Sequence, residues 1–529
     1  MSGRRLTIAL GFLALVIVAG GVIALTTSGT SHHREAGSGP GAGAPFGGLG
    51  TTGGATPARP DIVFVLTDDL SMNLLRFMPH VQAMQRNGLT FKNYFVSDSL
   101  CCPSRASIFT GDFPHDTGVF SNFGPGGGFN AFYKRGDQRH TFPIALQRAG
   151  YVTALMGKFL NGYLESPGHA ADGEITSVPG TYVPPGFNEW DVAGWGYGEF
   201  NYRLNQNGSL HWYGRRSSDY LTDVIARDGV SFINRAARRQ KPFFLELATF
   251  APHSPYVPAP RDASGFAGLA APRTPNFDVL PSHPPEWLAG HPPLSTREIA
   301  KIDRAFRRRA QAVQAVDRMI GRIEQTLSTD DIASDTYLIF SSDNGLHAGQ
   351  YRLMPGKLTA FDTDIRVPLV VVGPGVPAGR TSRAMAENID LAKTFTAIAG
   401  TPMHSDGHSL LGLFHGQNPS DWRNAILVEH HGGLISARDP DYQQSPSGNP
   451  TTYEAMRTSA FLYVEYTDGE REFYDLRTDP FELHNLAGKL TAVQRRLLHA
   501  ELSRLKRCHG SRRCWAAMHV AAPRRPTVR

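Results

Sequence analysis

The sequence predicts an α/β protein built on a large, mixed but mostly parallel β-sheet between helices, followed by a smaller antiparallel α+β domain. Short apolar runs recur before Leu413, and several end directly in polar residues, as buried parallel strands do. After about Leu413 the pattern changes to a hairpin and a closing helix. With 529 residues, 41% of them apolar and 19% charged, the chain is not a disordered protein, a coiled coil or a multi-span membrane protein.

The N-terminal segment predicts export. Arg4 and Arg5 precede an apolar stretch over residues 6–25, which is long enough to cross a bilayer. Residues 1–25 are therefore expected to form either a cleaved signal peptide or a signal anchor that holds the protein at the membrane. We expect the remaining chain to be secreted or anchored on the outer face of the cytoplasmic membrane. Residues 26–58 are rich in glycine, which is typical of a flexible linker.

The chain after the linker is expected to contain a main domain, a smaller domain and a basic tail. These parts are assigned to residues 59–413, 414–505 and 506–529. From Leu502 onward there are eight Arg or Lys residues and no Asp or Glu. No motif that reads nucleic acid accompanies them, so we interpret the tail as a solvated segment with no nucleic-acid partner. Cys508 and Cys514 flank a short loop, which is typical of a disulfide in an oxidising compartment.

Four predicted strands of the main domain end in chemically useful side chains. The strands cover residues 62–66, 151–156, 243–247 and 337–340. The polar residues that follow them are Asp68 and Asp69, Lys158, His253, and Asp343 and Asn344. Ligands of open α/β sheets bind beyond the carboxyl ends of the strands, so we expect these side chains to meet at one rim. The carboxylate and amide oxygens among them favour Ca²⁺ or Mg²⁺ over zinc.

Hydrophobic periodicity predicts the remaining elements. Residues 304–327 carry apolar side chains on one face, which predicts a long helix packed against the sheet. Asn207 and Gly208 lie between two short apolar segments and indicate a hairpin turn. The other predicted elements are a buried strand, an antiparallel hairpin and a closing helix, at residues 369–372, 461–474 and 486–505.

The segment from Cys101 to Gly111 has the pattern of a short helix with a cysteine at its start. Pro103 suits the first turn of a helix and Gly111 suits its end. Cys101 would then lie just before a helix N-terminus, where backbone N–H groups favour negative charge, and Arg105 would add a cation. A thiolate with a low pKa is one interpretation of this pattern.

A second interpretation is more specific. The pattern C-x-P-S-R-x-x-x-x-T-G is complete from Cys101 to Gly111 and resembles the signature of the type I sulfatases, whose cysteine is oxidised to formylglycine. The resemblance continues to about Leu486. It implies an alkaline-phosphatase-like fold with residues 59–413 as the catalytic domain.

Within that family, residues 157–163 and 183–187 are most similar to N-acetylglucosamine-6-sulfatases and related endosulfatases. One position departs from many arylsulfatases, because Leu160 replaces a histidine two residues after the active-site lysine. Asn161 follows it, as in the glucosamine-type enzymes.

The resemblance implies hydrolysis of a sulfate ester through a formylglycine at position 101 and one divalent cation, Ca²⁺ rather than Mg²⁺. The implied metal ligands are Asp68, Asp69, Asp343, Asn344 and the modified Cys101. Arg105 is implied to orient the formylglycine, and Lys158 and Lys357 to bind sulfate oxygens. His253 is implied to protonate the leaving oxygen. The implied partners are a sulfated sugar or aryl sulfate and, during maturation, a formylglycine-generating enzyme.

Two alternative functions remain open at this point. The first is a formylglycine-dependent phosphonate or phosphate ester hydrolase of the same fold. The second is a non-catalytic relative that binds glycans. Unmodified phosphatases of this group carry Ser or Thr at the position of Cys101, which disfavours them, and the complete set of site residues argues against a chain that has lost catalysis.

Overall fold

The computed structural model describes residues 59–164, 178–432, 439–443 and 447–521. The predicted signal or anchor segment, the linker and the last residues of the basic tail lie outside these ranges. The strands are β1 Asp61–Thr67, β2 Leu89–Phe91, β3 Tyr94–Phe95, β4 Val152–Lys158, β5 Glu189–Ala193, β6 Tyr202–Gln206, β7 Ser209–Tyr213, β8 Phe243–Ala248, β9 Thr336–Ser342, β10 Leu369–Val372, β11 Arg380–Ser382, β12 Ala386–Glu387, β13 Ala425–His430, β14 Tyr453–Thr458, β15 Phe461–Tyr466 and β16 Arg471–Asp475.

The helices are α1 Pro79–Asn87, α2 Cys101–Thr110, α3 Pro114–Thr117, α4 Gly128–Arg135, α5 Phe142–Arg148, α6 Leu221–Arg239, α7 Glu286–Ala289, α8 Thr296–Thr329, α9 Asp362–Ile365, α10 Asp390–Ile398, α11 Leu411–Phe414, α12 Ala492–Leu505 and α13 Ser511–Ala517. Within the part of the chain that the structure describes, none of these helices combines the length and the apolar character needed to span a bilayer.

A ten-stranded sheet forms the centre of the fold, in the order β11-β2-β10-β9-β1-β8-β4-β5-β6-β7. The five strands from β9 to β5 run parallel to one another, and antiparallel strands extend the sheet on both sides. Strands β9, β1, β8 and β4 are adjacent, so their carboxyl ends lie side by side. These are the four strands whose ends carry the predicted site residues.

Helices cover both faces of this sheet because alternate residues of each strand point to opposite sides. In β1, Ile62 and Phe64 pack with the side chains of α2, α5 and α10, whereas Val63 and Val65 pack with those of α1, α6 and α8. The central strands are therefore buried on both faces, which explains their continuous apolar runs. The predicted α/β class and the mostly parallel sheet are confirmed.

The predicted long helix and closing helix differ from the structure at their first residues. Helix α8 begins at Thr296 rather than near residue 304, because Ser295 and Glu298 form a reciprocal capping box in front of it. The closing helix was predicted from residue 486, but α12 begins at Ala492. A second capping box, formed by Thr491 and Gln494, sets that start. Capping side chains thus determine where both helices begin, and apolar periodicity did not predict those positions.

The smaller C-terminal unit is a four-stranded antiparallel sheet, β13-β14-β15-β16, with α12 and α13 packed on one face. Its β15–β16 hairpin is the one that the sequence predicts around Gly469. The structure joins Cys508 to Cys514 in a disulfide and leaves Cys101 and Cys102 as buried free thiols.

His115 connects the segment that follows α2 to this C-terminal unit. Its Nδ1 lies 2.9 Å from a carboxylate oxygen of Glu429, and its Nε2 lies 2.8 Å from the backbone oxygen of Cys508. Both partners are acceptors, so both ring nitrogens donate and the imidazole carries a charge. Burial opposes that charge, but the hydrogen bond and the charge of Glu429 outweigh it and raise the pKa of His115 to about 9.

We expect this contact to stabilise the fold in a pH-dependent way. Because the folded-state pKa lies above the ordinary value of about 6.5, the stabilisation is complete below pH 6.5 and disappears as the pH rises through 9. His115→Gln should therefore lower the free energy of unfolding by about 3 kcal/mol more at pH 6 than at pH 9.5, as measured by denaturant titrations at both pH values. His499→Gln, at an imidazole that is 60% exposed, is the control. An equal difference between wild type and His115→Gln at both pH values would contradict the prediction.

Candidate active site

Helix α2 places Cys101 at the centre of the rim. The helix begins at Cys101 itself, with Leu100 as its N-cap, so the cysteine is the first helical residue rather than the residue before the helix. Pro103 falls among the first four positions, whose N–H groups have no partner within the helix, and its missing N–H therefore costs nothing. Gly111 ends the helix with a φ of +75°, and a Cβ there would lie 2.8 Å from the side chain of Ser405. The helix end thus requires glycine.

Acidic and amide side chains from two adjacent strands face this cysteine. Asp68 and Asp69 follow β1, and Asp343 and Asn344 follow β9, where Thr67 pairs with Ser342 in the parallel register. The backbone N–H of Asp69 donates to Asp343 at 3.2 Å, and the Asn344 amide donates to Asp69 Oδ1 at 2.6 Å. All four side chains are buried. The adjacent strand ends therefore bring together these four side chains, which the sequence predicts to lie at one rim.

Asp68, Asp69 and Asn344 offer oxygen atoms that fit a hard divalent cation. Ligand atoms of Asp68, Asp69, Cys101 and His253 all lie within 4.8 Å of one another. In addition, Oδ1 of Asn344 is buried and has no hydrogen-bond partner among the described residues, which leaves this oxygen free for a ligand. Oxygen ligands from carboxylates and an amide are typical of calcium and magnesium sites.

Three buried cations balance these carboxylates. Lys158 Nζ lies 2.6 Å from Asp68 Oδ2, and Arg105 Nε lies 2.8 Å from Asp343 Oδ2. Lys357 Nζ lies 2.6 Å from Asp69 Oδ1 and 2.9 Å from the Cys101 sulfur. A buried charge is stable only when paired, so each cation is fixed in place by a carboxylate at the rim. The three cations therefore lie at the rim beside the carboxylates, and Lys357 also contacts the cysteine.

His253 lies in the loop after β8 and faces the same point. Its Nε2 is 2.6 Å from Asp441 Oδ1 and 3.5 Å from Asp69 Oδ2, and its Nδ1 is 2.7 Å from the backbone oxygen of Ser254. Burial opposes a charge on the ring, but the carboxylates of Asp69, Asp68 and Asp441 outweigh it and raise the pKa of His253 to about 9. The ring can therefore hold a proton at Nε2 that points into the site.

The Cys101 thiol is a poor nucleophile in this setting. Burial raises its pKa well above the ordinary value, and the charges of Asp441 and Asp68 act in the same direction, against the opposing charges of Lys158 and Lys357. The interpretation of Cys101 as a thiolate with a low pKa is therefore wrong for this structure.

Leu160, at the position where many arylsulfatases have a histidine, does not enter the site, whereas Tyr197 does. Leu160 is buried in the core, and the amide oxygen of Asn161 accepts a hydrogen bond from Tyr197 at 3.2 Å. The Tyr197 ring lies 5.0 Å from Lys158 Nζ and 4.5 Å from the His253 ring centre. Tyr197 thus contacts both of these groups and fixes their orientation.

Sequence reasoning missed Asp441 and Asn122. Asp441 contacts His253 and Lys357, and Asn122 donates to Asp441 Oδ2 at 2.6 Å. Asp441 belongs to an Asp-Pro-Asp sequence and Asn122 to a loop, where such residues usually form turns, so neither carries a recognisable signal. His347, which follows the Asp343-Asn344 pair, bonds to Asp364 and to the backbone oxygen of Ser447.

The chain matches two family models and several curated proteins. The model described as Sulfatase matches residues 60–401, and the model described as N-sulphoglucosamine sulphohydrolase, C-terminal, matches residues 349–508. An N-acetylglucosamine-6-sulfatase from Capra hircus is 33% identical over 495 residues, which cover 87% of this chain and 86% of the relative. An extracellular sulfatase SULF-1 homolog from Drosophila melanogaster is 31% identical and covers 72% of this chain and 34% of the relative.

Solved structures share the fold at lower identity. A protein solved in complex with its substrate D-glucosamine-2-N,6-O-disulfate has a TM-score of 0.66 and 23% identity, covering 85% of this chain and 98% of the other. A phosphonate monoester hydrolase from Silicibacter pomeroyi has a TM-score of 0.64 and 21% identity, and the match covers 85% of this chain and 95% of the other. The sulfatase model matches more than half of the chain, and the goat enzyme is similar along most of its length. The chain therefore belongs to the sulfatase family and is a sulfuric ester hydrolase.

Proposed function

We propose that this enzyme removes O-sulfate from N-acetylglucosamine-6-sulfate or a closely related sulfated sugar, with a formylglycine made from Cys101 and one bound Ca²⁺. The observation that carries the proposal is the position of Cys101, buried between oxygen ligands and three cations. The 33% identity with an N-acetylglucosamine-6-sulfatase over most of both chains supports this choice of sugar.

The bound cation and the formylglycine would supply chemistry that the unmodified side chains lack. Asp68, Asp69, Asp343, Asn344 and position 101 would hold the cation. Ca²⁺ would supply positive charge against the sulfate, and the hydrated aldehyde of formylglycine would supply an attacking oxygen in place of the unreactive thiol.

The side chains bind the sulfate and fix the reacting groups. A sulfate ester resists attack because its oxygens carry negative charge, so the site must neutralise that charge. Lys158 and Lys357 offer ammonium groups beside position 101. Arg105 is held by bonds to Asp343 and to the backbone oxygen of Lys158, and its guanidinium would orient the nucleophile.

His253 completes the reaction by supplying a proton. The alkoxide of a sugar is a poor leaving group, and it departs readily only when its oxygen is protonated in the transition state. The proton at His253 Nε2 points into the site, where the surrounding carboxylates favour its retention. We therefore assign His253 as the general acid.

Maturation and export complete the proposal. Cys101 is fully buried in the folded protein, so a formylglycine-generating enzyme would have to act before α2 packs. Residues 6–25 would direct export, and an extracellular location agrees with the extracellular sulfatase among the relatives.

Parallel assays test the proposed reaction. We expect calcium-loaded enzyme to release sulfate from N-acetylglucosamine-6-sulfate with a kcat/KM at least about tenfold above that for a phosphonate monoester. Treatment with a chelator should abolish the activity, and Ca²⁺ should restore it better than Mg²⁺. Faster turnover of the phosphonate ester would favour the alternative hydrolase, and full activity without metal would contradict the metal site.

A further inference from the structure

Asp441 places a carboxylate among the groups that face Cys101. Its Oδ1 lies 2.6 Å from His253 Nε2 and 2.7 Å from Lys357 Nζ. Its Oδ2 accepts from Asn122 at 2.6 Å and lies 3.4 Å from the Cys101 sulfur. One carboxylate thus touches two positive groups, a neutral donor and the position of the nucleophile. It is 2% exposed.

The groups that Asp441 contacts, Lys357, His253 and Asn122, are hydrogen-bond donors that suit an anion with several oxygens. A sulfate ester attacked from position 101 needs its sulfur close to that position and its oxygens beside Lys357 and His253. The Asp441 carboxylate holds the same place with the same partners. Two anions cannot occupy that place together, because at about 4 Å their repulsion amounts to several kcal/mol even at an effective dielectric constant of 20.

We propose that Asp441 is an internal competitor that occupies the sulfate position in the free enzyme and leaves it when the substrate's sulfate binds. The inference rests on the proposed function, which assigns Lys357 and His253 to the sulfate ester. Sulfate must displace a resident carboxylate, so free sulfate released as product is bound weakly. A sugar without sulfate carries no charge to displace it and is rejected.

The segment that carries Asp441 is built as a self-supporting turn. Asp439 Oδ1 accepts from the backbone N–H of Asp441 at 2.8 Å, and the Gln443 amide donates to the backbone oxygen of Asp441 at 2.8 Å. These bonds hold the backbone independently of the carboxylate. The backbone of this turn therefore does not depend on the Asp441 carboxylate remaining at the sulfate position.

Binding of inorganic sulfate tests this inference. Asp441→Asn removes the charge and keeps the shape, so calcium-loaded protein should bind sulfate at least about tenfold more tightly than wild type in calorimetric titrations. Inhibition by sulfate should strengthen by the same factor. Asp439→Asn is the matched control, since it makes the same Asp-to-Asn change in the same turn at a residue whose hydrogen bonds go to Asn122 and the backbone of Asp441 rather than to Lys357 or His253. Its sulfate affinity should stay within about threefold of wild type.

The outcomes separate this inference from the proposed function. An unchanged or weaker sulfate affinity in Asp441→Asn, in a protein that still melts cooperatively, overturns the inference even if the wild type hydrolyses sulfate esters. Asp441→Ala repeats the measurement if the asparagine variant does not fold. If wild type and both variants neither bind sulfate nor hydrolyse its esters, the proposed function fails and the inference fails with it.

Discussion

Replacing Cys101 with alanine is expected to reduce kcat/KM for sulfate esters by at least about 10⁴-fold, because in the proposed mechanism this residue supplies the nucleophile. Cys101→Ser should lose a similar factor, since a serine hydroxyl beside Asp68 and Lys357 is not an aldehyde hydrate. Both variants should keep the fold, because the thiol packs at a helix start and contributes little to the core.

Mass spectrometry and a neighbouring thiol provide the controls. In active wild-type protein, the peptide that contains Cys101 should be lighter by the difference between a thiol and an aldehyde. Cys102→Ser should retain both the modification and most of the activity, because Cys102 packs in the core and its sulfur accepts a hydrogen bond from the backbone N–H of Asn161 at 3.0 Å, which a serine hydroxyl can also accept. Active protein that contains only intact thiol at Cys101, or a fully active Cys101→Ser, would contradict the proposed mechanism.

The fold and part of the site could be predicted because both follow from local patterns. Central strands such as β1 are buried on both faces, so their apolar runs are continuous and easy to locate. Parallel strands end at one edge of a sheet, so Asp68 and Asp343 could be expected at the same rim, and the structure shows that their two strands are neighbours. The helix of Cys101 likewise carries its own signals, a proline at the start and a glycine at the end.

Other parts of the site could not be predicted because they depend on long-range contacts. Asn122 and Asp441 are separated by 319 positions in the chain, and only the folded topology brings them together. Neither residue follows a predicted strand. The pKa of the Cys101 thiol also depends on its surroundings, since burial and the Asp441 carboxylate reverse the effect expected from a helix N-terminus. Local sequence specified the elements, while the electrostatics of the site arose from their assembly.

Replacing His253 should affect substrates in proportion to how poor their leaving groups are. For N-acetylglucosamine-6-sulfate, His253→Gln should lower kcat by about 10² to 10⁴-fold, because the sugar alkoxide needs a proton as it leaves. For 4-nitrophenyl sulfate the loss should be much smaller, since the nitro group stabilises the departing phenolate without a proton. The ratio of the two losses, measured on one enzyme preparation, is independent of how much protein carries formylglycine.

The pH profile distinguishes a general acid from a residue that only binds sulfate. An acid must be protonated, so kcat/KM of the wild type on the sugar sulfate should fall as the pH rises through the pKa of His253. That alkaline decline should be absent for His253→Gln and weak for the nitrophenyl ester. If His253 only bound sulfate, both substrates would lose the same factor and show the same profile, and the assignment of His253 as the acid would be wrong.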